Sequence, residues 1–204
     1  VPTYLTAIVL VILTAVVILG GITSIANVTQ VLVPFMAILY LGGGLFVLAT
    51  HAGRLPHALQ LIFDGAFTGT AAAGGFAGST MMMALRFGVA RGLFSNEAGL
   101  GSAPIVHAAA QTDHPVRQAL YGIFEVFVDT ILICTTTALV ILVTDTWTMG
   151  VTGAALSAKA FEVGLPGTFG LILVTGGLLL FAFSTLIGWS YYGETGIVYL
   201  LGTK

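Results

Sequence analysis

VLVPFMAILYLGGGLFVLAT, residues 31–50, contains no charged side chain. A helix rises about 1.5 Å per residue, so a run of this length crosses the ~30 Å hydrocarbon core of a bilayer. Pro34 falls in its first turn, where a missing N–H is harmless. Upstream, residues 4–21 form a second uncharged apolar run, separated from the first by Gly20-Gly21 and the polar stretch 23–30. Downstream, a polar linker at 51–57 with Arg54 and Pro56 leads into Leu55–Phe67. That stretch has apolar residues at helical spacing and Asp64. It is too short to span and suits a helix lying on the membrane surface. Three further spans follow at 70–94, 118–144 and 167–191, the last able to run on to Leu201. A polar loop at 95–117 and a polar-to-amphipathic linker at 145–165 separate them. The expected fold is therefore an all-α integral membrane bundle of about five transmembrane helices.

Composition agrees. The chain has 204 residues, of which 57% are hydrophobic and 7% charged, against about 25% charged in a soluble globule. Six basic and eight acidic side chains cannot cover the surface of a soluble protein of this size, whereas a lipid bilayer demands no such cover. A net charge of −2 gives no basic patch and no reason to expect nucleic acid. Cys134, the single cysteine, excludes an internal disulfide and reads as a buried, inert thiol in an apolar run. The chain opens on Val1 at the edge of an apolar run, which reads as an excerpt of a longer protein: one transmembrane region, residues 1–204.

Three groups of residues carry candidate chemistry. The first is GGFAGST, residues 74–80, within the third span. Gly74, Gly75 and Gly78 each weaken a helix by about 1 kcal/mol relative to alanine. Non-helical backbone survives at membrane depth only beside protein or a polar cavity. An unwound segment there frees N–H groups for a carboxylate and carbonyls for a cation. The competing reading is close helix packing through the small-xxx-small spacing of Gly74 and Gly78. The second group is RFGVARGLFSNEAGLGSAP, residues 86–104, where an apolar span ends in a polar, glycine-punctuated segment. Arg86 and Arg91 reach headgroups by snorkelling. Ser95, Asn96 and Glu97 suit either a capped turn or a gate network with an arginine. The third is a helix face carrying Thr185, Trp189 and Tyr192 by i, i+4, i+7 spacing, with Ser184 beside it. Hydroxyl oxygens are hard ligands that suit Na⁺, although Ser and Thr often bond their own helix backbone instead.

Glu125 and Asp129 lie one turn apart inside the fourth span. Intramembrane carboxylates are costly and default to a functional hypothesis, here a proton relay. A structural bond to another helix or to the 95–101 loop is the alternative. The four histidines show no metal-ligand pattern and read as interfacial or loop residues.

The 86–104 segment resembles the signature region of the alanine/glycine:cation symporter family. The resemblance continues through LVPFMAILYLGG, PIVHAAAQTDHP, CTTTALVIL, GAALSAKAFE and LLLFAFSTLIGWSYYGE, and so covers essentially the whole chain. It implies a leucine-transporter-type fold of two inverted repeats, of which these spans would be core helices four to eight, with the third span as a broken helix. It implies an amino-acid site lined by Gly74, Gly75, Phe76, Gly78, Ser79, Thr80, Met81 and Met82, with Trp189 as a wall that keeps the pocket small. It also implies a sodium site formed by the Ala182 carbonyl and the Ser184 and Thr185 hydroxyls, completed by helices outside this chain. One departure is the 22–30 stretch, where the family usually has lysines or arginines and this chain has Thr23, Ser24, Asn27 and Thr29.

The expected activity is cation-coupled symport of alanine or glycine by alternating access in the cell membrane, with Na⁺, or H⁺, as coupling ion. No cofactor and no metal beyond Na⁺ are required, and the partners are the amino acid, the bilayer and the remaining helices. The rival readings are an ion channel and an intramembrane enzyme using Glu125 and Asp129. Arg86, Arg91 and Arg117 flank the 95–117 loop against one basic residue in each neighbouring outer loop, which places that loop in the cytoplasm.

Overall fold

The computed structural model describes residues 3–67 and 75–202. Nine α-helices are described: α1 Thr3–Ile18, α2 Gly21–Thr50, α3 Leu55–Phe67, α4 Gly75–Asn96, α5 Ala103–His107, α6 Pro115–Val126, α7 Thr135–Val143, α8 Ala154–Gly164 and α9 Phe169–Leu201. A π-helical segment, Phe127–Cys134, joins α6 to α7 within one continuous span. Among the described residues three helices are long and apolar enough to cross a membrane: Gly21–Thr50, Pro115–Val143 and Phe169–Leu201. α1, at 16 residues, is a shorter apolar helix, and α4 runs for 22. In lipid every backbone polar group must be satisfied within the protein, and helices do this segment by segment.

Two expected loops are helical. The stretch at 23–30 forms the start of α2, which is 30 residues long rather than 20. Its threonines fold back onto the helix instead of leaving it: the Thr29 hydroxyl donates to the Ile25 carbonyl at 2.9 Å. Pro34 consequently lies inside the helix, not in its first turn. There it removes one i→i−4 bond to Gln30. The turn before α2 is tight, and Gly21 takes a left-handed φ of 69° that a side chain would strain. The linker at 145–165 contains α8, whose Phe161 is fully buried. The sequence there is mixed in polarity because only one face of α8 turns inward.

The core sits where α2, α7, α8 and α9 meet, around Val47, Val140, Val143, Phe161 and Val174, with Ala58 of α3 covering its edge. Tyr40 of α2 links three of these helices. Its ring lies 5.0 Å from that of Phe161 and 6.0 Å from that of Phe181, and its hydroxyl pairs with Thr137 Oγ1 at 2.7 Å. Glycines permit the close approach. A Cβ on Gly43 would stand 2.6 Å from Leu173 Cδ1, one on Gly44 would run into Thr136, and one on Gly170 into the Phe161 carbonyl. Val17, Ile25 and Ile187 make a second cluster among α1, α2 and α9.

These contacts fix relative helix directions. Arg54, just beyond the end of α2, donates to the Val143 carbonyl at 3.1 Å and to Asp145 at 3.2 Å, just beyond the end of α7. Both spans therefore end on one side. α9 starts on that same side, with Gly170 against Phe161, and runs the other way. The outer surface is apolar: Leu200 and Leu201 are 78% and 81% exposed, and most side chains of α1 are bare, Val17 excepted. Such a surface is a liability in water and the ordinary lipid face of a membrane bundle.

Candidate functional site

The end of α4 is the polar junction of the molecule. Ser95 donates from Oγ to Asp129 Oδ2 at 2.5 Å and stands 3.6 Å from Cys134 Sγ. Asn96 donates from Nδ2 to Thr130 Oγ1 at 2.9 Å, while its Oδ1 accepts from the Ala98 backbone N–H at 3.0 Å. All three partners of this pair of side chains on the fourth span belong to the π-helical segment. π-helical turns are rare and frequently mark functional sites, because the widened turn re-aims side chains. Glu97 turns the chain away with a left-handed φ of 55°. Its Oε1 accepts from Trp189 Nε1 at 3.0 Å and its Oε2 from Ser102 Oγ at 2.8 Å. The Ser-Asn-Glu triplet thus ties α4 to the fourth span on one side and to α9 on the other.

The expectation here was either a capped turn or a gate network with an arginine. The partners found are a carboxylate, a hydroxyl and an indole. Arg86 and Arg91 are exposed, and among the described residues neither pairs with a carboxylate. Their long stems suit headgroup contact more than an internal ion pair. Asp129 takes the structural alternative, bonding Ser95. Glu125 does not share its partner: its Oε2 lies 3.4 Å from His107 Nε2, and His107 Nδ1 pairs with Gln118 Nε2 at 2.7 Å. Gln118, Gly122 and Glu125 follow one face of α6, with the imidazole ring packed over Gly122. Sequence reasoning placed His107 as an ordinary loop residue. Only the fold brings it to α6. His114 also has a defined task, accepting from the Val116 N–H at 3.2 Å to cap α6.

Two open clefts surround the junction. One of about 780 Å³ lies between the 96–112 segment and α6, lined by Glu97, His107, Gln118 and Glu125 among others. A second of about 960 Å³ lies between α2 and the fourth span, and reaches Ser95, Asp129 and Phe181.

The expected unwinding over residues 74–80 is not found from Gly75 onward, because α4 is helical from Gly75 to Asn96. Met-Met-Met-Ala-Leu-Arg are good helix formers and outweigh two glycines. Gly74 lies outside the described residues, as do the side chains of Phe76, Ser79, Thr80 and Met81. Met82 is 66% exposed. Trp189 is 42% exposed but makes ring contacts: its centroid lies 6.3 Å from that of Phe94 and 5.8 Å from that of Tyr192. Ser184 donates to the Phe181 carbonyl at 2.9 Å, the helix-backbone alternative, whereas Ala182 and Thr185 are exposed on α9. Cys134 is exposed, not buried. Its apolar neighbours face outward with it, since an apolar run in a membrane helix is shielded by lipid as readily as by protein.

The family model described as the sodium:alanine symporter family matches residues 1–204. This chain belongs to the sodium:alanine symporter family. An uncharacterized transporter of Haemophilus influenzae is 48% identical over 205 residues, covering 100% of this chain and 45% of that protein. The sodium/alanine symporter AgcS of Methanococcus maripaludis is 48% identical over 204 residues, covering 98% of this chain and 44% of AgcS. The probable sodium/glutamine symporter GlnT of Bacillus subtilis is 43% identical over 191 residues, covering 92% of this chain and 38% of GlnT. The chain therefore spans less than half the length of these family members. Membership and the apolar helices together make it a membrane protein of a transporter family.

Proposed function

We propose that this chain is part of a secondary active transporter that carries a small amino acid, alanine or glycine, with Na⁺ across the cell membrane by alternating access. The observation that supports it most is the anchoring of Trp189 on α9 by Glu97 at the end of α4. It joins the helix that begins in the small-residue stretch to the helix bearing Ala182, Ser184 and Thr185. Those residues come from the two regions proposed to hold substrate and cation. The relatives' names, sodium/alanine symporter and probable sodium/glutamine symporter, point the same way for substrate class and ion. In this reading the substrate carboxylate meets N–H groups near the start of α4 and Na⁺ binds hard oxygens of α9. Downhill cation entry drives uptake, with no covalent step.

The test is the full-length protein in liposomes. Alanine uptake should be saturable and driven by an inward Na⁺ gradient, with the amino acid recovered unchanged. Flux that does not saturate or ignores the gradient would replace the symporter by a channel. A proton as coupling ion is the second reading. Glu125 and Asp129 within the fourth span favour it, as does a relative, 40% identical over 205 residues, named a putative sodium/proton-dependent alanine carrier protein. Replacing the Na⁺ gradient by a pH gradient separates the two.

Orientation gives a further prediction. In a Cys134→Ala background, a cysteine at the exposed Thr112 should react with an impermeant maleimide only from the cytoplasmic side. One at the exposed Thr152 should react only from outside. The reverse pattern would invert every span.

A further inference from the structure

The two clefts beside the polar junction share a wall. One lies under the 96–112 segment, and the other runs between α2 and the fourth span to Asp129. Asn96, His107, Ala110, Gln118 and Glu125 line both. Asn96 is the fixed post of this wall, since its Nδ2 is bonded to Thr130 Oγ1 at 2.9 Å. The rest of its polar part is one cluster, His107 of α5 set between Gln118 and Glu125 of α6. Gln118 Nε2 stands 2.7 Å from His107 Nδ1. An amide nitrogen only donates, so Nδ1 accepts and the ring carries its proton on Nε2. That nitrogen faces Glu125 Oε2 at 3.4 Å. The same cluster holds the segment down. Among the described residues, the side-chain polar contacts from residues 98–112 to a membrane-spanning helix are those of His107; Ser102 bonds Glu97, and Thr112 bonds the His114 carbonyl. Left-handed backbone at Glu97 and Gly101, with φ 55° and 79°, marks the bend where the segment leaves α4.

We infer that the His107–Gln118–Glu125 cluster is a latch: it holds the 98–112 segment on the fourth span and keeps the two clefts apart, and its release joins them into one passage that reaches Asp129. Its build suits a bond that opens and closes. The Glu125 side chain is 63% exposed, so water competes for it and the contact breaks and re-forms readily. The ring leans on Gly122, which offers no side chain to trap it. The use of the latch as a cytoplasmic gate rests on the alternating-access reading above; the latch itself does not.

The experiment uses the full-length protein in detergent, with every other cysteine replaced and one reporter, Ala37→Cys, which lines the second cleft alone. Its rate of reaction with a charged methanethiosulfonate should rise about tenfold in His107→Ala and in Glu125→Ala, as the open population grows. The double variant should be no faster than either single, because both break the same latch. Exchanging the partners, His107→Glu with Glu125→His, brings the same groups together and should return the rate toward that of the parent. A second reporter, Val174→Cys in the packed core, should stay unreactive throughout. An unchanged rate at Ala37→Cys in both single variants overturns the inference. A rise at both reporters is general loosening and overturns it too. Should the alanine variants not fold, Glu125→Gln keeps the side chain's shape without its charge, and an unchanged rate there overturns the inference. The gate is tested in liposomes: His107→Cys with Gln118→Cys, joined by a short bifunctional methanethiosulfonate, should stop Na⁺-driven alanine uptake, and reduction should restore it. Uptake that persists through the joined pair overturns the gate. A wild-type protein without saturable, Na⁺-driven uptake counts against the proposed transport function, while the reporter rates still decide the latch.

Discussion

Gly44→Leu should markedly lower the thermal stability of the folded protein, while Gly42→Ala, two positions away, should be tolerated. Gly44 lies on the face of α2 pressed against α7 and α8. A single added carbon there runs into the Thr136 methyl and comes 3.7 Å from Phe161 Cζ. Neither neighbour can yield: Thr136 is 7% exposed and Phe161 is fully buried among Val47, Val140 and Val174. Leucine adds three carbons more. Overpacking of a well-filled core typically costs about 1–3 kcal/mol and sometimes more, against a total stability of only about 5–15 kcal/mol. A Cβ on Gly42 meets nothing within 4 Å, and alanine is the better helix former by about 1 kcal/mol. The measurement is the monodisperse fraction on detergent size-exclusion and its midpoint of thermal loss, for both variants in the full-length protein. Equal behaviour of the two would mean that the α2–α7–α8 contact is not what holds this part of the bundle.

The contrast shows where sequence reading succeeds and where it stops. The GGG run of residues 42–44 reads as three equal glycines. Which of them must remain glycine is decided by helix phase and by Phe161, a residue 117 positions further on. Span existence was legible because the bilayer imposes length and apolarity on the chain directly: residues 31–50 fall within α2, 118–143 within the Pro115–Val143 span and 169–191 within α9. Span ends were less so. The polar stretch at 23–30 continues as helix because threonine hydroxyls satisfy themselves on the preceding turn, so polarity there does not signal a loop. α8 was read as a linker because one buried face on an eleven-residue helix leaves little periodic signal. The π-helical segment leaves no signal at all, since its residues are ordinary helix formers.

The candidate site divides in the same way. Ser95, Asn96, Glu97, Asp129 and Trp189 were each identifiable as polar or aromatic residues in places where a membrane helix tolerates few. That Glu97 serves Trp189 across 92 residues was not, whereas a bond from Asp129 to the 95–101 loop was one of the alternatives the sequence offered. Residue type gave the hydrogen-bonding inventory, and only the fold gave the pairing. His107 was the clearest omission. The available signal was its position three residues after Pro104, in a segment short enough to be held rigid, but nothing in the sequence aims it at Glu125.

Thr185→Ala should weaken Na⁺ binding by about tenfold and leave the fold intact. Ala182, Thr185 and Trp189 follow one face of α9 at i, i+3, i+7 spacing, and all three are exposed there. Ser184, one position before Thr185, spends its hydroxyl on the Phe181 carbonyl, which makes Thr185 the side-chain oxygen of this group turned toward whatever packs on that face. Alanine removes that oxygen without harming the helix. Loss of one ligand worth about 1.4 kcal/mol is a tenfold change in affinity. If Na⁺ and substrate bind with positive coupling, each raises the affinity of the other by the same factor. Alanine affinity in Thr185→Ala should therefore fall at low Na⁺ and recover as Na⁺ is raised about tenfold. Thr185→Ser keeps the oxygen and should be much milder. The measurement is alanine binding to the purified full-length protein across a sodium titration. A sodium dependence identical to wild type in Thr185→Ala would move the cation site elsewhere. A wild-type protein indifferent to Na⁺ but steeply dependent on pH would make the proton the coupling ion. The carboxylates of the fourth span, Asp129 held by Ser95 and Glu125 beside His107, would then be the groups to replace next.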